Sequence, residues 1–107
     1  MNLNKTSGNL LLDFYGNLLT DRQNEVMNLY FSDDYSMGEI ADDLNISKSA
    51  VSDIIHRSSN QLKEYEEKLK LLASFKKRNE IYEEMLKTND ETVIKYVRKL
   101  MNIERED

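Results

Sequence analysis

The distribution of helix-breaking residues is the feature that most constrains the fold of this chain. Its 107 residues include no proline, and none of its three glycines lies after Gly38. Proline and glycine are the residues that cost most inside a helix, so about the last two thirds of the chain carry no strong helix-breaking signal. The charged fraction of 33% is typical of exposed helical faces. These features predict an all-α protein.

Residues 36–57 combine two helical patterns with a short turn between them. Ser36 and Glu39 have the spacing of a capping box, which predicts that the first helix begins here. Asn45–Ile46 form the predicted turn, and Ser47 is placed to cap the second helix. The residues predicted to be buried recur at helical spacing and are Ile40, Ala41, Leu44, Val51, Ile54 and Ile55. This pattern predicts a helix-turn-helix, whose second helix usually enters a major groove of DNA.

Two further helical patterns precede this motif. Residues 9–19 are the most apolar stretch and predict a short packed helix, which Gly16 would weaken or end. A second capping box at Thr20–Gln23 begins the next predicted helix. Residues 1–8 are polar and are predicted to be loose. Together these segments predict a trihelical helix-turn-helix domain over residues 1–60.

The C-terminal part of the chain predicts a long helix and a helical extension. One helix from Lys48 to about Leu72 would be about 37 Å long and would outgrow a three-helix domain. A third capping box, at residues 88–91, predicts a new helix that starts near Asp90. Its apolar residues have strong helical spacing and are Val93, Ile94, Val97, Leu100 and Met101. We expect this extension, residues 61–107, either to dock on the long helix or to form a homodimer.

Four sequence segments carry a resemblance to a known family. They are LTDRQ, NLYF-x-x-DYS-x-GEIA, NIS-K-x-AV-x-D and EYEEKL, and the similarity runs from about residue 11 to residue 86. The helix-turn-helix resembles region 4 of sigma factors, and the whole chain more closely resembles the YlxM family of small bacterial proteins. Ser52 departs from the family pattern, because it stands where an aromatic residue is more common.

The resemblance implies a helix-turn-helix regulatory protein associated with the signal recognition particle pathway. The family's gene tends to lie beside the genes of the particle's GTPase and its receptor. The partners implied are therefore the GTPase or the RNA of the particle. The function predicted in this way is regulation through these protein or RNA components.

The distribution of charge separates the helix-turn-helix from the rest of the chain. The net charge is −5, and residues 20–57 carry three cationic and eight acidic side chains. Because duplex DNA is bound largely through lysine and arginine contacts with phosphate, this balance argues against tight DNA binding. The alternative function, transcriptional regulation by reading duplex DNA with residues 48–57, stays open because of the motif itself.

Two sets of residues are candidates for contact with nucleic acid or a protein partner. The first lies at the start of the second motif helix and consists of Lys48, Ser49, Ser52, Asp53, His56 and Arg57. The second is a basic cluster in the extension, Lys76, Lys77 and Arg78, which suits an RNA backbone. Nearby glutamates offer another interpretation of this cluster, namely a solvated helical face with local ion pairs.

Several classes of function find no support in the sequence. The chain has no cysteine and only one histidine, His56, and its glycines do not form a phosphate-binding loop. We therefore expect no catalysis, no cofactor and no metal. No apolar run has the length of a signal peptide or a membrane helix, so the expected location is cytoplasmic, without membrane insertion.

Overall fold

A computed structural model describes residues 3–105 and the side chains up to Glu104. Within these residues the chain forms six α-helices and no strand, which confirms the predicted all-α class. The helices are α1 (Lys5–Tyr15), α2 (Asp21–Phe31), α3 (Met37–Leu44), α4 (Lys48–Leu69), α5 (Leu71–Leu86) and α6 (Glu91–Arg105). One turn of 3₁₀ helix, Gly16–Leu18, follows α1.

The chain divides into two compact units, of which the first ends at Leu72 and the second begins at Ala73. This division lies later in the chain than the boundary expected at residue 60. The reason is that the distal half of α4 and the first residues of α5 still contribute to the first core, where Leu62 of α4 is fully buried and Leu72 of α5 is 8% exposed.

The core of the first unit is built from four helices. The most deeply buried side chains of α1 and α2 are Tyr15, Val26 and Met27, and Ile40 and Val51 meet them from α3 and α4. Each of these five side chains has a relative exposure of 0%. The predicted buried stripes of α3 and α4 therefore do face the core.

The N-terminal segment differs from the prediction that residues 1–8 are loose. Helix α1 begins at Lys5, and the side chain of Asn4 caps it by accepting a 2.8 Å hydrogen bond from the N–H of Ser7. Gly8 is buried, and a Cβ atom added there would overlap the Phe31 ring. The prediction was therefore wrong for the part of this segment within α1, because a polar sequence conceals a close approach of two helices. Residues 1–2 lie outside the described part.

The predicted helix starts of the helix-turn-helix are confirmed by their caps. Thr20 with Gln23, and Ser36 with Glu39, form complete capping boxes at the starts of α2 and α3. Ser47 Oγ accepts a 3.0 Å hydrogen bond from the N–H of Ala50 at the start of α4. Each cap satisfies backbone donors that have no partner inside the helix.

The predicted single helix from Lys48 to about Leu72 is interrupted near its end. Helix α4 stops at Leu69, and Lys70 adopts a left-handed conformation with φ 54°. The chain then turns directly into α5. Lysine is not a residue that signals a turn. The helical periodicity of the sequence therefore gave no indication of a break at this position.

The second unit is a pair of helices, the rest of α5 together with α6. Their contact includes Glu104, whose Oε1 pairs with Arg78 Nε and accepts a 3.2 Å hydrogen bond from the hydroxyl of Tyr82. Tyr82 and Val97 are the buried large side chains between Ala73 and Glu104.

Helix α6 starts near Asp90 as predicted, but the predicted capping box at residues 88–91 is not what caps it. Asp90 Oδ1 accepts hydrogen bonds from the N–H groups of Thr92 and Val93, at 2.9 and 3.3 Å. The hydroxyl of Thr88 instead donates to the carbonyl oxygen of Met85, at the end of α5.

Candidate partner-binding surface on the helix-turn-helix

The turn between α3 and α4 has the geometry that a helix-turn-helix needs. Asn45 lies in the left-handed region with φ 56° and ψ 47°, a conformation that asparagine tolerates better than most residues. The N–H of Ile46 donates a 3.1 Å hydrogen bond to the carbonyl of Ala41. Because Ser47 then caps α4 at once, the second motif helix begins in a defined orientation.

All six predicted contact residues of the motif lie in the first three turns of α4 and are exposed. They are Lys48, Ser49, Ser52, Asp53, His56 and Arg57. Successive residues of a helix are rotated by about 100°, which places Ser49, Asp53 and Arg57 on the side away from the buried stripe. Ser52 and His56 lie nearer the edge of that stripe.

Arg57 is held by an acidic neighbour on the same helix. Its Nε lies 3.2 Å from Oδ1 and 3.1 Å from Oδ2 of Asp53, one helical turn earlier. The two side chains are 74% and 56% exposed, so the pair contributes little to stability. Its effect is electrostatic, because the one arginine of this face is accompanied by a carboxylate that would repel phosphate.

Ser52 and His56 also line a cleft that sequence reasoning did not find. The cleft has a volume of about 240 Å³. Its walls are formed by Leu3, Tyr30, Phe31, Met37, Ser52, Ile55, His56 and Ser59. The signal available in the sequence was weak, since Tyr30 and Met37 are merely half-buried and belong to different helices. The cleft places apolar rings directly beside two of the predicted contact residues.

The acidic side chains of the motif region form what we call the acidic surface. Its eight members are all exposed and are Asp21, Glu25, Asp33, Asp34, Glu39, Asp42, Asp43 and Asp53. Lys5 lies 3.4 Å from Asp34, and Arg22 lies 3.5 Å from Glu25. Most of the surface has no such compensation within residues 3–105. It therefore presents a negative field to any approaching partner.

The second predicted set of contact residues belongs to the other compact unit. Lys76 and Lys77 are exposed and form no ion pair with any residue between 3 and 105. Arg78 instead pairs with Glu104. The two predicted sets thus lie on separate units, and one of the three cations of the basic cluster is engaged within its own unit.

The described residues offer neither a metal site nor a membrane-spanning helix. No group of three or more histidine, cysteine, aspartate or glutamate side chains between residues 3 and 105 is arranged to hold a metal ion. None of the helices in this part of the chain is long and apolar enough to cross a membrane.

The first unit, with its capped α3–turn–α4 segment, defines a protein of the helix-turn-helix class. Comparison with known sequences identifies the family: the chain belongs to the UPF0122 family, described as "Putative helix-turn-helix protein, YlxM / p13 like", whose sequence model matches residues 3–102.

Individual relatives span most of the chain. It is 41% identical over 110 residues to the UPF0122 protein YofM of Lactococcus lactis, covering 100% of this chain and 99% of that protein. It is 46% identical over 86 residues to the UPF0122 protein YlxM of Bacillus subtilis, covering 79% and 78%. A UPF0122 protein of Halalkalibacterium halodurans is 50% identical over 82 residues, covering 77% and 75%.

Proposed function

We propose that this protein is a non-catalytic regulator of the signal recognition particle pathway that binds a positively charged protein component of that pathway. The observation that carries the proposal is the acidic surface around the helix-turn-helix. Eight exposed carboxylates lie within or beside a motif whose usual ligand is itself an anion. A basic protein surface complements this field, whereas a phosphate backbone does not.

The exposed face of α4 supports the same conclusion. Of the two cations in the first three turns of α4, Lys48 has no ion pair within the described part of the chain and Arg57 is paired with Asp53. A DNA-reading helix relies on several cationic or backbone contacts to phosphate in addition to its contacts with base edges. One unpaired lysine supplies little of that energy.

The pathway is proposed from the family, in which the gene tends to lie beside those of the particle's GTPase and its receptor. Of the components of that pathway, a basic protein surface fits the charge of the first unit best. Particle RNA is the other component, and it is tested in the same experiment.

The experiment compares binding of the full-length protein to the purified particle GTPase, particle RNA and duplex DNA, each at the same low and high salt concentrations. We expect binding to the GTPase that weakens as salt rises, since exposed charges are screened over about 10 Å at 0.1 M salt. Binding to RNA or DNA alone, without binding to the GTPase, would contradict the proposal.

A pair of variants tests the acidic surface directly. Asp42→Lys with Asp43→Lys reverses two of its charges, and neither residue has an ion pair within the described residues. The matched control is Glu83→Lys with Glu84→Lys on α5, which makes the same charge change in the second unit. We expect the first variant to weaken GTPase binding roughly tenfold or more and the control to weaken it far less. Equal effects would contradict a role for the acidic surface.

A second candidate function, reading of duplex DNA by α4, is favoured by one specific observation. The turn and cap geometry at Asn45 and Ser47 is that of a complete helix-turn-helix, and Lys48, Ser49 and His56 are exposed next to it. If this function is correct, Lys48→Ala should weaken DNA binding at low salt and leave GTPase binding unchanged. The absence of DNA binding at low salt would exclude it.

A further inference from the structure

We propose that the second unit is a dimerisation module, in which α6 packs in parallel against α6 of a second copy of this chain. The surface concerned, which we call the α6 strip, consists of Tyr96, Leu100 and Ile103. These side chains are 54%, 44% and 66% exposed. The proposal does not depend on the proposed function, because it concerns a different unit.

The first argument is that two helices cannot bury the apolar side chains that this unit contains. Val97 and Tyr82 are buried between α5 and α6, but the α6 strip and Ile81 of α5 remain exposed. A pair of helices of this length has too little core to be stable without a further surface. Neighbouring exposed apolar side chains of this size are characteristic of interaction sites.

The second argument is the spacing of the strip. Its members are separated by four and then three residues, which is the spacing of the apolar seam in a coiled coil. In that register Tyr96 and Ile103 take the d positions and Leu100 takes the a position between them. A seam of this kind is complementary to another copy of itself, as a two-fold interface requires.

The third argument is the charge on either side of the seam. In the same register Lys99 lies at a g position and Glu104 at the e position five residues later. These two positions meet across a parallel coiled coil, so Lys99 of each copy approaches Glu104 of the other. The antiparallel arrangement would bring the Lys99 side chains of the two copies towards each other.

The Glu104 side chain is partly engaged within its own unit. Its Oε1 is occupied by Arg78 and Tyr82, but its Oε2 is buried and has no hydrogen-bond partner among the described residues. A buried carboxylate oxygen without a donor is costly. Lys99 is exposed and forms no ion pair within residues 3–105. It can therefore approach the part of the Glu104 side chain that stays exposed, 18% of its surface, from a second copy.

The overall charge favours a second copy over a strongly charged partner. Residues 73–107 carry eight cationic and eight acidic side chains, so two second units do not repel each other through net charge. The excess of acid belongs to the first unit, where an interface between copies would be opposed by like charge.

The first test measures the molar mass of the full chain by light scattering and sedimentation equilibrium across micromolar concentrations. We expect a dimer whose dissociation constant rises roughly tenfold or more for Leu100→Glu. The matched control is Leu18→Glu in the first unit, because Leu18 is similarly exposed at 55% and should leave the dimer intact. Helical circular dichroism would establish that both variants are folded. A monomer at every concentration, or equal effects of the two variants, would overturn the proposal.

The second test fixes the direction of the helices by disulfide formation. The chain has no cysteine, so a single introduced thiol reacts only with another copy. A parallel seam predicts that Tyr96→Cys and Ile103→Cys each form a disulfide-linked dimer alone. Leu18→Cys should remain monomeric in denaturing gels. Linkage only in mixtures of the Tyr96→Cys and Ile103→Cys chains would overturn the parallel pairing.

Discussion

The hydroxyl of Tyr15 donates a 2.6 Å hydrogen bond to Oε1 of Glu66, which joins the end of α1 to the last turns of α4. The same hydroxyl accepts a 3.1 Å bond from the N–H of Leu71, and the same carboxylate oxygen accepts a 3.0 Å bond from the N–H of Leu72. Tyr15 and Glu66, which lie far apart in sequence, thus cap the start of α5 directly after Lys70, whose backbone is left-handed.

We expect Tyr15→Phe to lower the free energy of unfolding by about 1–3 kcal/mol, because it leaves Glu66 and the N–H of Leu71 without their shared partner. Denaturant unfolding followed by circular dichroism measures the change. The matched control is Tyr35→Phe in the same unit, because Tyr35 is half-buried and its hydroxyl makes no hydrogen bond in the described part of the chain. It should change stability by less than about 0.5 kcal/mol. An equal loss in both variants would count against the role of the hydroxyl.

The same hydrogen bond predicts that the free energy of unfolding depends on pH in the alkaline range. Burial, and then the neighbouring Glu66 carboxylate, raise the pKa of Tyr15 above its ordinary value of 10.0. The unfolded chain therefore loses this proton first as pH rises. The contribution of the protonated Tyr15 hydroxyl to the free energy of unfolding is complete below pH 10. It is lost as pH increases through the pKa that Tyr15 has in the folded state.

The measurement is unfolding stability of the parent chain and of Tyr15→Phe on both sides of pH 10. The parent should lose more stability than the variant. Tyr82 also contributes to the pH dependence of stability, because burial and Glu104 raise its pKa. Since both proteins contain Tyr82, the comparison removes its contribution. A parallel decline in both proteins would show that Tyr15 is not responsible.

Gly8 and Gly38 should respond oppositely to alanine. At Gly8 the added Cβ overlaps the Phe31 ring, so we expect Gly8→Ala to destabilise the chain by roughly 1–3 kcal/mol. At Gly38 the nearest contact of the added Cβ is Ser36 Oγ at 3.8 Å, so alanine should be neutral or stabilising by up to about 1 kcal/mol. Thermal unfolding of the two variants checks both signs. A Gly8→Ala chain as stable as the parent would mean that α1 does not pack closely on Phe31.

The start of α6 predicts that substitutions at Asp90 and at Thr88 differ in their effect on stability. Asp90→Ala removes the acceptor for two N–H groups and should cost about 1 kcal/mol of helix stability. Thr88→Ala removes a bond to the end of α5 and should cost less. Helical circular dichroism during thermal unfolding compares the two variants. A larger loss of stability in Thr88→Ala than in Asp90→Ala would support the capping box at residues 88–91 that the sequence predicts.

The sequence by itself was sufficient for the all-α class and for the starts of α2, α3 and α4. The caps at Thr20, Ser36 and Ser47 were predicted correctly because a cap is a contact between residues three apart. The turn at Asn45 was recognised for the same reason. Family membership also followed from the sequence, since its motifs are contiguous stretches of the chain.

The candidate surface was predictable only in part. The acidic excess and the exposed start of α4 can be read along the chain. The cleft beside Ser52 and His56 could not, because its walls come from three helices and the N-terminal segment. The division of the contact residues between two compact units was likewise absent from the local pattern.

The tertiary structure alone decided where α1 packs, where α4 stops and how α5 begins. The sequence around Gly8 gives no sign that Phe31 packs against it. The sequence around Tyr15 and Glu66 likewise gives no sign that their side chains meet between α1 and α4. Local propensity and capping depend on neighbours in sequence, and these were determined by the chain itself. Close packing and shared hydrogen bonds depend on residues more than twenty positions apart, and only the folded arrangement brings them together.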